Sequence, residues 1–155
     1  MLFYHLTRSG LPQTLGTLLE KSLERGWRVA LRVPDRETAE RLDAALWLGP
    51  EDRFLPHGLA GGPHDARQPV LLTTGHEAAN APQCVMAVAG AEVAPSEAAD
   101  LQRVCILFDG ADGERVAQAR AQWKAVTAAG LVAQYWSEES GRWQKKAQAG
   151  GDAGR

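Results

Sequence analysis

The sequence predicts an α/β domain of three layers: a mainly parallel sheet between helices, Rossmann-like in outline and without a nucleotide-binding motif. Three observations lead there. Short apolar runs of strand length alternate with stretches of 3.6-residue periodicity from the N-terminus onward, and that alternation builds β-α-β units with right-handed crossovers. Gly and Pro punctuate the boundaries between them. The length of 155 residues, with 45% hydrophobic and 23% charged residues, suits one domain with an ordinary core.

The elements follow in order. Residues 2–6 read as a first strand. Pro12 suits a first helical turn, and Leu11, Leu15, Leu18, Leu19, Ser22 and Leu23 share one face of the helix that follows. Gly26 stops it. Residues 27–33 alternate as a second strand, Pro34 breaks it, and Asp35 caps a second helix. That helix carries Ala39, Leu42, Ala45 and Leu46 on one face, reaches Trp47, and ends at Gly49-Pro50. Phe54-Leu55-Pro56-His57 is a short extended piece, and residues 58–69 form a loop rich in Gly, Pro and His. Residues 70–74, 83–89 and 103–109 read as three further strands. Asp112 begins a long helix to about residue 129, with Gly130 as its stop, and residues 131–136 form a last strand. From Ser137 the chain turns to polar residues, Gly and Ala, so a domain of residues 1–136 is expected to carry a basic, flexible tail of residues 137–155.

Charge narrows the partners. The formal net charge is −2, which argues against a generic coat for duplex DNA. Residues 1–113 hold 10 basic and 15 acidic residues, while residues 114–155 hold 7 basic and 4 acidic ones. A positive C-terminal third fits an acidic partner, and it fits a merely soluble end equally well. Cys84 and Cys105 form no CxxC pair, so neither a zinc site nor a redox motif is expected, and two free thiols fit a reducing compartment. No basic leader precedes a long apolar run and no run reaches membrane-span length. A soluble cytoplasmic protein, without membrane contact, is the expectation.

Catalytic motifs are sparse. The sequence lacks both the phosphate-loop pattern and a GxGxxG after a strand, and the first strand-to-helix turn holds one glycine. Leu107-Phe108-Asp109-Gly110 resembles a strand-end Asp that holds Mg²⁺, but a turn and helix cap over residues 109–113 explains it without a ligand. His57, His64 and His76 lie near one loop with Asp65, at spacings of 7 and 12 that match no metal-ligand pattern. No catalytic residue, metal or cofactor is assigned. The alternative function is a nucleotide- or small-molecule-binding α/β enzyme using Asp109 and the His57/His64 loop.

Two constellations point to partners. On the helix of residues 112–129, Val116, Ala119, Trp123 and Val126 form one stripe. Arg120 and Thr127 flank it, Lys124 lies beside Arg120, and Arg115 sits at the other edge. Trp123 in the core with solvated cations explains the pattern. So does an apolar slot bordered by cations, which would take an acidic peptide ending in an aromatic residue with a free carboxylate. The second constellation is Trp47 with Phe54, Leu55, Pro56 and His57 at one helix-to-strand corner. It is either a cap on the core or an exposed patch for a partner.

The run Arg41-Leu42-Asp43-Ala44-Ala45-Leu46-Trp47, followed by Phe54-Leu55-Pro56-His57-Gly58-Leu59-Ala60-Gly61, resembles the chi subunit of bacterial DNA polymerase III holoenzyme. Ala119-Arg120-Ala121-Gln122-Trp123-Lys124-Ala125 is similar to that family's late helix, where the aromatic is commonly Tyr. The resemblance spans residues 2–136. It implies a non-catalytic α/β subunit, without nucleotide, that joins the clamp loader through the psi subunit. It also implies binding of the acidic, Phe-terminated C-terminal tail of single-stranded-DNA-binding protein, so that DNA is engaged mostly indirectly. The protein would then be a monomer alone or a heterodimer with psi. Carried over by position, Arg120, Trp123 and Lys124 mark the tail site. The family's upstream lysine falls at Val116, leaving Arg115 as the neighbouring cation. Trp47 and Phe54 match family aromatics on the psi-facing side.

Overall fold

The computed structural model describes residues 1–7, 10–47, 57–75, 78–98, 100–138 and 142–149, with Trp47 described by its backbone only. Strand β1 (Leu2–Leu6) leads into helix α1 (Leu11–Glu24), then β2 (Val29–Arg32), α2 (Arg36–Trp47) and β3 (His57–Leu59). A 3-10 turn over Asp65–Arg67 precedes β4 (Val70–Thr73) and β5 (Cys84–Ala87). The short α3 (Pro95–Ala98), β6 (Arg103–Asp109), α4 (Gly113–Ala128), β7 (Ala133–Ser137) and β8 (Gln144–Ala149) complete the order.

The caps are those the sequence announces. Asp35 Oδ1 accepts from the Thr38 N–H at 2.7 Å at the start of α2. Asp112 Oδ1 accepts from the N–H groups of Glu114 (3.0 Å) and Arg115 (3.3 Å) at the start of α4. Such bonds satisfy amides that have no partner within the helix. Gly26 and Gly130 both take φ of +80° just past α1 and α4, a left-handed turn that costs glycine little.

One sheet runs in the order β3-β4-β2-β5-β6-β1-β7-β8. Every neighbouring pair is parallel except β7 and β8. Side chains alternate between its two faces. Val29, Leu31, Cys84, Met86, Cys105 and Leu107 pack with Leu15 and Leu19 of α1 and Leu42 and Leu46 of α2. Phe3, Ala30, Val85, Ile106 and Phe108 pack with Ala119 and Val126 of α4 on the other side. Two apolar interfaces on opposite faces make the three layers. A thiol–thiol hydrogen bond with Cys84, together with burial, pushes the Cys105 thiol up, and both cysteines are buried and free.

Residues 137–155, expected as a tail outside the fold, contain β8. Ala149 pairs with Ala133, Gln148 with Gln134 and Gln144 with Ser137, with a bulge at Tyr135/Trp136. The sheet therefore extends one strand past the boundary the sequence suggested. Backbone hydrogen bonding creates that strand, because its side chains are largely exposed and carry no apolar alternation. Residues 150–155 lie outside the described residues, as does residue 99.

Segment 92–98 is fixed by a buried cation. Arg32, 5% exposed, makes a two-point ion pair with Glu97 at 2.8 and 3.2 Å and donates to the Glu92 carbonyl at 3.0 Å. Glu97 also accepts from the Ala94 N–H at 2.8 Å. No helix among the described residues is long and apolar enough to cross a membrane.

Candidate functional site

The parallel topology reverses at β1. Helix α1 leaves β1 along one face toward β2, while α4 carries the chain from β6 across the other face to β7. Ligands of open α/β sheets sit at such a reversal, beyond the carboxyl ends of the strands. Here the chain's own groups occupy that place. The buried Glu138 accepts from the Thr7 N–H at 3.0 Å, and Gly110 donates to the Leu6 carbonyl at 2.8 Å. A Cβ on Gly110 would run into the His5 ring, so glycine is needed for this close approach.

Asp109, His57 and Asp65 have structural partners. Asp109 Oδ1 accepts from the Ala111 N–H at 2.9 Å, which closes the turn into α4. His57 is buried at the start of β3, and its Nε2 lies 3.2 Å from Asp43 Oδ1 on α2. That contact ties β3 to α2 and makes His57 part of the interior, rather than of an exposed patch. His64 is exposed next to the 3-10 turn, whose Asp65 carboxylate accepts from the N–H groups of Gly61 (2.8 Å) and Gly62 (3.0 Å). His76 lies outside the described residues. No group of three His, Cys, Asp or Glu side chains suited to a metal occurs among the described residues. Phe54, Leu55, Pro56 and the side chain of Trp47 also lie outside them, so of that corner only His57 is seen in full.

Helix α4 brings three of its four candidate residues together. Ala119 and Val126 are buried and set the helix's inner face. At about 100° per residue, Trp123 falls at one edge of that face, with Arg120 and Lys124 successively further round toward solvent. Arg120 and Lys124 are exposed and Trp123 is half-buried. The Trp123 ring stands edge-on to Phe3 at 5.3 Å and to Tyr135 at 6.0 Å. Tyr135 in turn shares a hydrogen bond with His5, its hydroxyl 2.8 Å from Nδ1. Neither Arg120 nor Lys124 is ion-paired among the described residues. The edge thus presents a supported aromatic ring beside two cations.

Arg115 does not join them. Its Nη1 lies 3.4 Å from Gln118 Oε1, and a Cβ on Gly90 would come within 2.7 Å of the same nitrogen. It closes over the loop after β5, across the buried stripe from Arg120. Gln118 also donates to the Gly90 carbonyl at 2.7 Å and to Glu92 at 3.0 Å, which anchors that side of α4. The sequence reading missed Phe3 and Tyr135 as the supports of Trp123. Strand alternation carried the signal for Tyr135, which shares a face with the buried Ala133.

Residues 1–134 match the family model described as DNA polymerase III chi subunit, HolC. A stretch of 58 residues is 43% identical to the DNA polymerase III subunit chi of Escherichia coli (strain K12) and covers 36% of this chain. The matched stretch spans 40% of that relative's length. The family model takes in the sheet from β1 into β7 together with α4 and its Trp123 edge, and the chain therefore belongs to the DNA polymerase III chi subunit family.

Proposed function

We propose that this protein is a non-catalytic accessory subunit of the replicative DNA polymerase III, associated with the clamp loader during DNA replication. In this reading it links the polymerase to single-stranded-DNA-binding protein by holding that protein's acidic, Phe-terminated C-terminal tail on the outer edge of α4. One observation carries the reading within the family assignment: an aromatic ring held by Phe3 and Tyr135 lies beside two exposed cations, Arg120 and Lys124, that have no carboxylate partner among the described residues. A terminal Phe packs its ring against Trp123, the Arg120 guanidinium meets the terminal carboxylate through two hydrogen bonds, and Lys124 adds field for acidic residues upstream. Affinity for one tail is modest, and several tails on a coated strand raise it by effective concentration.

Titration of a labelled acidic peptide ending in Phe tests this. The wild-type protein is expected to bind it, and less tightly as salt rises. No binding at low salt would overturn the reading. The second link is to the psi subunit through Trp47 and Phe54. Trp47→Ala or Phe54→Ala is expected to reduce capture of psi while leaving peptide affinity unchanged. Loss of folding in both variants would instead assign these rings to the core.

A further inference from the structure

On the α1 side of the sheet, away from the Trp123 edge, lies a cavity of about 340 Å³. Three aromatic rings line it. Tyr4 comes from β1, Trp136 from β7, and Trp143 from the residue before β8. All three are half-buried. The rings of Tyr4 and Trp143 stand edge to face, 5.4 Å apart at 85°. Trp136 is oriented by its indole N–H, which donates to Gln134 Oε1 at 3.1 Å.

The opposite wall is α1, which contributes the exposed Gln13, Thr17 and Lys21 together with the buried Thr14 and the half-buried Leu18. Gln13 and Thr17 face the rings from that wall. A second cation comes from the edge strand. Lys145 is directly opposite Trp136 in the β7–β8 ladder, so both project on the same face. Lys145 donates to the neutral Gln148 at 2.7 Å, which leaves its charge uncompensated. Among the described residues, none lining the cavity is acidic and none is an arginine.

We propose that this cavity is a stacking site for single-stranded DNA. One base packs among Tyr4, Trp136 and Trp143, and Lys21 and Lys145 take the phosphates on either side. Aromatic rings flanked by lysines are what proteins use to hold unpaired bases without reading sequence. An acidic peptide is served less well, because no guanidinium among the described residues lines the cavity to clamp a carboxylate. Tyr4 and Trp136 belong to the α1 face while Phe3 and Tyr135 belong to the α4 face. The site is therefore independent of the peptide-binding edge, and the two can be filled together.

The test is a titration of the full chain with fluorescein-labelled oligo-dT at low salt, followed by anisotropy and by quenching of tryptophan fluorescence. Saturable binding with quenching, weakening as salt rises, is the expected result. Lys21→Glu combined with Lys145→Glu is expected to weaken it by roughly tenfold or more. Both residues are exposed, so folding is preserved. Trp143→Ala is expected to weaken it by roughly tenfold through loss of stacking. If Trp143→Ala does not fold, the lysine pair decides. Absence of oligo-dT binding, equal binding by the double lysine variant, or displacement of the oligonucleotide by the acidic Phe-terminated peptide would each overturn the proposal.

Discussion

Trp123→Ala removes a ring that belongs to the interior and to the proposed peptide edge at once. Truncating a fully buried Trp costs about 3–5 kcal/mol. Trp123 is half-buried, which reduces that to about 2 kcal/mol. Its two edge-on contacts, at 5.3 Å to Phe3 and 6.0 Å to Tyr135, add about 0.5 kcal/mol each or a little more. The expected loss is about 3 kcal/mol, or a fall of about 6–12 °C in Tm for a domain of this size. Urea unfolding should show a lower midpoint at unchanged slope. Trp123→Tyr keeps a ring in place and should cost less than about 1.5 kcal/mol. Arg120→Ala, on an exposed side chain, should change stability by less than about 0.5 kcal/mol. An unchanged midpoint in Trp123→Ala would refute the packing described. Equal destabilisation by Arg120→Ala would refute the division of α4 into an inner face and a solvent edge.

Two further outcomes follow from buried and capping charges. Glu97→Ala leaves Arg32 in the interior without its carboxylate; because Glu97 is 24% exposed, the expected loss is about 2 kcal/mol, below the 3–5 kcal/mol of a fully buried pair, and chemical unfolding checks it. Asp35 is held below the usual carboxylate range, first by the Thr38 backbone N–H and then by the Thr38 hydroxyl. Its folded pKa is depressed, so its stabilising effect is full above the ordinary value of about 3.9 and fades as pH falls through the folded pKa. Asp35→Asn keeps a capping oxygen and removes the titration. Its stability deficit should be constant near neutrality and shrink below about pH 4 in thermal melts. A deficit independent of pH would contradict the hydrogen-bonded carboxylate.

The parts of this fold that are legible in the sequence are those fixed locally. Asp35 and Asp112 sit one residue before their helices, Gly26 and Gly130 stand just after theirs, and the stripe of Ala119, Trp123 and Val126 follows from helical spacing alone. Features made by distant partners leave no local trace. β8 is an edge strand of Gln and Lys without apolar alternation, and only its pairing to β7 makes it a strand. Segment 92–98 is ordered by Arg32 from another strand. His57 looks like a loop histidine until β3 carries it against Asp43. The site divides the same way. Arg120, Lys124 and Trp123 are readable as one helix edge. Nothing local says that Arg115 turns to Gly90, or that rings from the first and last strands meet at Tyr4, Trp136 and Trp143.

In the proposed function, the Arg120 guanidinium and a peptide's terminal carboxylate meet on α4. A calorimetric cycle tests it most directly, pairing wild type and Arg120→Ala with the acidic Phe-terminated peptide and with the same peptide amidated at its C-terminus. The prediction is that amidation weakens binding to wild type by roughly tenfold and leaves Arg120→Ala nearly unaffected, a coupling of about 1–2 kcal/mol. Equal losses on amidation in both proteins would contradict it, because the carboxylate would then be held by some other group.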